Sequence, residues 1–466
     1  MRPGFFLQTG IRGMEKEDAL KAISKILPSS IVLFKSDFSS PRDLEQLIRE
    51  INHIYRIENG VRQPIIAVDQ EGGNVVRIDW LEYNPSNLFL GKYDNLNFTS
   101  YVGKLTGQEL SNLGIRWNLA PVLDVLNPYN QVILERSFGD DIVKIAEHGS
   151  AYIRGLQSQG VIATAKHFPG HGGVLDDSHL ILPTDRRSAG AVLGDAYPFR
   201  SAIMSGVRAV MLSHVMYASI DDELPASISP RIQKMLREDF GHGGIILTDS
   251  LDMKALADNF NFREIVQNTL YRDVDLIENA DLLASMEILD YVDTGKIPSL
   301  DSKVSRINDL MNMDTSNKVK LTPEVLRAVE IVGPLIRRPA NIDPGKKIDV
   351  IFLEMKTESR VSEDSKTENL EDVLLKSGLD LHFHYGSDAL LDRSLGDQLI
   401  LVGRNEHLKN RIGKINDTCK NKRCAYISTS VDRDIGILSP EIGYVNAFSL
   451  KPRVILGAIL RIAGFL

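Results

Sequence analysis

Cysteine is almost missing from this chain of 466 residues: Cys419 and Cys424 are the whole complement, and they share one short polar stretch. Two cysteines cannot build a disulfide framework, and a solitary C-x4-C is a weak metal signal. No apolar run approaches the roughly 20 residues that span a bilayer. The N-terminal Met1-Arg2-Pro3-Gly4-Phe5 opens without the apolar stretch of a secretory leader. A soluble, cytoplasmic protein without a membrane partner is therefore expected. No lysine/arginine block stands out, and the formal net charge is −8, so nucleic acid is not an expected partner. Gly-x-Gly-x-x-Gly and P-loop signatures are absent as well. What is there is ordinary globular composition, 43% hydrophobic and 25% charged, enough for one large domain and a smaller one.

Short apolar runs alternate with longer amphipathic ones. The runs predict strands at Ser30–Phe34, Pro64–Val68, Gly160–Ala165, Arg208–Ser213, Gly244–Thr248 and Val274–Ile277, with Phe5–Gln8 and Arg116–Leu119 as weaker candidates. Helical patterns fill the gaps, including Pro41–Tyr55, Asp141–Gln159 and Pro230–Phe240. Pro41 and Pro230 suit first-turn positions, with Ser40 and Ser229 before them as N-caps. Strands that are continuously apolar imply a parallel sheet covered on both faces. About eight such units in roughly 300 residues predict an α/β fold of the (β/α)8 TIM-barrel type, with a doubly wound open sheet as the alternative.

The pattern breaks in the stretch from Ile336 to Lys347, whose Arg-Arg-Pro-Ala-Asn-Ile-Asp-Pro-Gly core is linker composition. The expected division is a barrel over residues 1–335, a linker over 336–347 and a smaller α/β, sandwich-like C-terminal domain over 348–466. In the last, strands are expected at Ile348–Leu353, Gln398–Val402 and Ala425–Ser428, and helices at Leu370–Ser377 and Val454–Leu466.

The residues with most chemical potential stand just after predicted strands. Asp69 follows Ile65–Val68, Lys166 and His167 follow Val161–Ala165, His214 follows Val210–Ser213, and Asp249 follows Ile245–Thr248. In a barrel these points converge on the C-terminal face, where barrel enzymes place their sites. Each residue also has a plainer reading. Asp69 could cap a turn. Asp249-Ser250 could be the N-cap of a helix opening at Leu251. His167 and His171 stand four apart, as zinc ligands on a helix do, but Pro169 and Gly170 argue against a helix and hence against a metal. Asp177-Ser178-His179 could be a polar turn or a catalytic dyad. Ser178 lacks the strand–turn–helix context of a serine nucleophile.

In its ordered motifs the chain resembles family-three glycoside hydrolases, and within them the bacterial β-N-acetylglucosaminidase branch. The motifs are Asp69-Gln70-Glu71-Gly72-Gly73, Asn118-Leu119-Ala120-Pro121-Val122, Arg136-Ser137-Phe138-Gly139, Lys166-His167-Phe168-Pro169-Gly170-His171-Gly172, Asp177-Ser178-His179, Pro225-Ala226-Ser227 and Thr248-Asp249. The resemblance implies that Asp249 is the nucleophile of a retaining reaction and forms a covalent glycosyl-enzyme. It implies His179 as general acid/base, partnered by Asp177, and Asp69, Arg136, Lys166 and His167 as hydrogen-bonding residues of the cleavage subsite. No metal or organic cofactor is implied. The substrate would be a small carbohydrate carrying terminal N-acetylglucosamine, such as a muropeptide or a chitin oligomer.

Phosphorolysis or β-glucosidase activity at the same site, and a non-catalytic sugar-binding barrel, are the alternatives. Two departures stand out. The nucleophile segment reads Asp249-Ser250-Leu251-Asp252, where many relatives carry a second acid directly after the nucleophile. The stretch after the last expected strand, Glu278-Asn279-Ala280-Asp281, is unusually acidic.

Overall fold

A computed structural model describes residues 1–12, 14–57, 62–81, 85–130, 132–174, 182–313, 335–338, 342–343, 346–353, 380–386, 395–403, 411–428, 438, 442–446 and 458–459. The chain divides into two compact units. Met1–Glu71, Leu90–Ile133 and Ser137–Lys320 form the first, and Gly72–Phe89, Leu134–Arg136 and Leu321–Leu466 the second. Of the 1–335 segment expected as the barrel domain, residues 72–89, 134–136 and 321–335 group with the second unit.

The first unit holds eight parallel strands: β1 (Leu7–Arg12), β2 (Ser30–Leu33), β3 (Ile65–Val68), β4 (Trp117–Asn118), β5 (Ile162–Phe168), β6 (Ala209–Leu212), β7 (Ile245–Thr248) and β8 (Ile277–Asp281). They run side by side in the order β7-β6-β5-β4-β3-β2-β1-β8, and a bridge between Leu247 and Leu276 brings the two ends together. This is the expected (β/α)8 barrel, nearly closed. Its strands read as apolar runs because both faces are covered: every residue of Ser30–Leu33, Ile65–Val68, Ala209–Leu212 and Ile245–Thr248 is buried.

The helices between strands start where the caps indicate. Helix Pro41–Ile57 opens with Ser40 Oγ accepting from Asp43 N (3.2 Å). Helix Ile142–Gln157 opens with the Asp141 side chain accepting from Val143 N and Lys144 N. Helix Pro230–Lys234 opens with Ser229 accepting from Ile232 N, and a wider turn, Met235–Asp239, continues it. The Asp281 side chain accepts from Leu283 N and Ala284 N and caps helix Leu282–Leu289.

Two strands run further than apolarity suggests. β5 continues through Lys166, His167 and Phe168, so the first two lie in the strand and not in the loop after it. The last strand begins at Ile277, three residues later than the expected Val274, and holds Glu278, Asn279 and Ala280 buried. In both places polar side chains continue the strand, which a criterion of unbroken apolar sequence cannot register.

The second unit carries a six-stranded sheet of β9 (Leu335–Arg338), β10 (Ile348–Leu353), β11 (Leu381–Gly386), β12 (Gln398–Gly403), β13 (Arg423–Ser428) and β14 (Gly443–Asn446). Their order is β9-β14-β13-β12-β10-β11, parallel except for the β9–β14 pair. Residues 336–338, expected as the start of the linker, thus lie in a strand, Leu335–Arg338. Helix Ile412–Cys419 buries Ile415 against Ile351, Leu399, Leu401 and Tyr426. Cys419 and Cys424, too few for a disulfide framework, are joined in a single disulfide with Cα atoms 5.7 Å apart. The expected helix Leu370–Ser377 lies outside the described residues. Of Val454–Leu466 only residues 458–459 are described, and they are helical. Among the described residues no helix is long and apolar enough to cross a membrane.

Candidate active site

Polar side chains of the first unit gather at the C-terminal ends of β3, β5 and β7. Lys166, near the end of β5, is 3% exposed. Its Nζ lies 2.8 Å from Asp69 Oδ1 and 2.7 Å from Glu71 Oε1. A buried ammonium needs paired anions, and the two carboxylates just past β3 provide them. The plainer reading of Asp69 as a simple turn cap does not account for this pair. Asn118 fixes the segment between the two acids: its Oδ1 accepts from Gln70 N and its Nδ2 donates to Gln70 O, both at 2.9 Å.

His167 follows on the same strand. Its Nδ1 meets Asp124 Oδ2 at 2.7 Å, and its backbone N–H donates to Asp124 Oδ1 at 3.2 Å. The Asp124 carboxylate, fully buried, also accepts from His171 N at 2.7 Å. Burial alone pushes the Asp124 carboxyl up, but His167 and His171 outweigh it, so the group sits below its ordinary range. An ionised Asp124 fixes Nδ1 as the protonated nitrogen of His167 and sets the plane of the ring. The His171 ring packs edge-on against His167 at 5.9 Å, which gives it a supporting place.

Asp249 directly follows β7, and its Oδ1 accepts from Ser250 N at 2.8 Å. The helix it was expected to cap begins only at Lys254, so the capping reading fails. Burial raises the Asp249 carboxyl, while His167, His214, Lys166 and the Ser250 N–H lower it further, to about 2. It is a carboxylate throughout the neutral range. His214 anchors the turn that carries it: Nε2 lies 2.9 Å from the Ser250 carbonyl and Nδ1 2.8 Å from Ser227 Oγ. A carbonyl can only accept, so Nε2 is the donor to Ser250, while Nδ1 shares a hydrogen bond with the Ser227 hydroxyl.

Of the residues expected to form the site, Asp69, Lys166, His167 and Asp249 are thus brought together. Arg136 belongs to the second unit, where it closes the short turn Leu134–Arg136 and its carbonyl accepts from Asn87 Nδ2 at 2.7 Å. Asp177 and His179 lie outside the described residues. Glu71, Asp124 and Glu278 were not expected as members of the site. Glu71 stands two residues past Asp69, a spacing that could have marked it. Glu278 lies in the stretch whose acidity stands out in the sequence, and Asp124 carries no local signal of its role.

Comparison with known proteins shows the family of the chain. The family model described as the glycosyl hydrolase family 3 N-terminal domain matches residues 8–310. A beta-hexosaminidase of Nitrosospira multiformis is 31% identical over 330 residues, covering 67% of this chain and 91% of the relative. One of Glaesserella parasuis is 33% identical over 255 residues, 54% of this chain and 73% of that protein. Among solved structures, a glycoside hydrolase family 3 beta-N-acetylglucosaminidase from a Paenibacillus species superposes with a TM-score of 0.86 at 27% identity, covering 100% of this chain and 96% of its own.

Proposed function

The chain belongs to glycosyl hydrolase family 3, and from that premise we propose that it is a retaining exo-β-N-acetylglucosaminidase releasing terminal β-linked N-acetylglucosamine from cell-wall fragments or chitin oligomers. The observation that carries the reading is Asp249, a carboxylate held at about 2 at the end of β7 beside Lys166 and His167. An ionised, oriented carboxylate is what a retaining glycosidase needs as its nucleophile.

In the first step an Asp249 oxygen forms a bond to the anomeric carbon while the bond to the aglycone oxygen breaks. His179, as imidazolium, gives that oxygen its proton. In the second step the neutral imidazole takes a proton from water, whose oxygen attacks the anomeric carbon and releases Asp249. Two inversions give net retention. Asp177 beside His179 favours the charged ring and orients it. Asp69, Lys166 and His167 are assigned to sugar binding, since hydroxyls need several directional donors and acceptors. We also propose a cytoplasmic site of action. The Cys419–Cys424 disulfide weighs against it, because reducing compartments keep such pairs as thiols.

The test of this reading is substrate preference. The kcat/KM for an aryl β-N-acetylglucosaminide should exceed that for the matching aryl β-glucoside by about 100-fold or more, the scale on which a site built for one polar substituent rejects its absence. Equal or inverted preference would contradict the assignment.

A further inference from the structure

Glu278 stands in the barrel beside the nucleophile. Leu247 of β7 bridges Leu276, so two residues further along both chains Asp249 and Glu278 fall side by side with side chains on the same face. Two hydrogen bonds hold this register: Glu278 N donates to Thr248 Oγ1 at 3.0 Å, and Leu251 N donates to the Glu278 carbonyl at 3.1 Å.

On its other side β8 pairs with β1, Gln8 opposite Glu278 and Thr9 opposite Asn279. The Thr9 hydroxyl meets Ser285 of helix Leu282–Leu289 at 2.7 Å, so that alternate set of positions faces the helices and Glu278 faces inward. The residue is 3% exposed, and among the described residues its Oε2 has no hydrogen-bond partner. A buried polar atom of this kind costs stability unless something satisfies it.

We propose that Glu278 is a substrate-binding residue whose carboxyl hydrogen-bonds a hydroxyl of the terminal sugar in the cleavage subsite. This rests on the glycosidase reading above and adds a residue to it. The charged groups acting on Glu278 are Asp69 past β3, Asp249 and Asp252 past β7, and Lys166 on β5, while the neighbour from β1 is the neutral Gln8. Burial first, then Asp69 and Asp249, push the Glu278 carboxyl well above its ordinary range, with Lys166 opposing them. It therefore meets the sugar as a neutral acid, able to donate one hydrogen bond and to accept another. A further carboxylate here would repel Asp249 and oppose the fixed negative charge that the reaction needs, and the proton avoids that.

The sign for stability follows. Below the ordinary glutamate value of 4.5 the group is protonated in folded and unfolded chains alike. Above it the unfolded chain ionises while the folded one does not, so wild type loses stability as pH rises until the folded group also ionises. Glu278→Gln removes that dependence, so its Tm should exceed that of wild type at pH 7, with the gap closing below 4.5.

The deciding experiment measures kcat/KM of wild type, E278Q and E278L on an aryl β-N-acetylglucosaminide and on its 3-, 4- and 6-deoxy analogues. E278L should lose about 10-fold or more on the parent substrate, mostly in KM, and E278Q should recover most of it, since the amide keeps a neutral donor and acceptor. For one deoxy analogue the penalty seen with wild type should vanish in E278L, which identifies the hydroxyl touched.

A loss in E278L that is equal for all four substrates would overturn the proposal and leave Glu278 as a structural partner of Gln8. So would an E278L variant as efficient as wild type, an E278Q variant as impaired as E278L, or a Tm gap independent of pH. Absence of wild-type turnover on the parent substrate would overturn the glycosidase reading and this proposal with it. Wild-type turnover without coupling to Glu278 overturns the proposal alone.

Discussion

Replacing Asp249 by alanine should lower kcat on an aryl β-N-acetylglucosaminide by a factor on the order of 10,000 or more, the scale on which loss of a covalent nucleophile is felt. The carboxylate stands at the end of β7, is aimed by the Ser250 N–H, and rests on a turn pinned by His214. Alanine keeps the two His214 hydrogen bonds that pin this turn, to the Ser250 carbonyl and to Ser227. The loss should therefore fall on kcat, with the melting temperature little changed. Added azide should restore part of the turnover by attacking from the face the carboxylate leaves open, giving a product of inverted configuration. In wild type, no acid limb of the pH profile belongs to Asp249 until the pH nears 2. Retention of more than about a tenth of the activity in D249A would remove Asp249 from the nucleophile role.

His179→Ala should divide substrates by leaving group. General-acid assistance contributes roughly 100- to 10,000-fold where the departing oxygen is basic, and little where the aglycone is an acidic phenol. The variant should hydrolyse an alkyl β-N-acetylglucosaminide at least about 100 times more slowly than wild type, yet form the glycosyl-enzyme from a dinitrophenyl glycoside at close to the wild-type rate. Equal losses on both substrates would reassign the proton transfer to another group.

Much of this was legible before any coordinates. β2, β3, β6 and β7 announce themselves because parallel strands covered on both faces must be apolar throughout, and the residues that follow them, Asp69 and Asp249 among them, stand out against that background. The criterion fails where a strand carries chemistry. Lys166 and His167 interrupt the apolar run of β5 yet lie within it, since Asp69, Glu71 and Asp124 partner their side chains from the segments after neighbouring strands. Glu278 was displaced into a loop for the same reason.

Asp124 escaped notice because its role is defined by two partners more than 40 residues away, His167 and His171. In the second unit, β11 hides because His382 and His384 break its apolar sequence, and β9 because Arg337 and Arg338 read as linker. The cysteines were dismissed by count, whereas a strand following closely on a helix brings Cys419 and Cys424 within bonding distance.

The central claim is that Asp249 carries the sugar as a covalent ester. It is tested most directly by incubating wild type with 5-fluoro-N-acetylglucosaminyl β-fluoride, quenching, and mapping the modified peptide by mass spectrometry. The account predicts one sugar adduct per chain, on the peptide that contains Asp249 and fragmenting to that residue. An adduct on Asp69, Glu71 or Glu278, or turnover with inversion and no adduct, would contradict it.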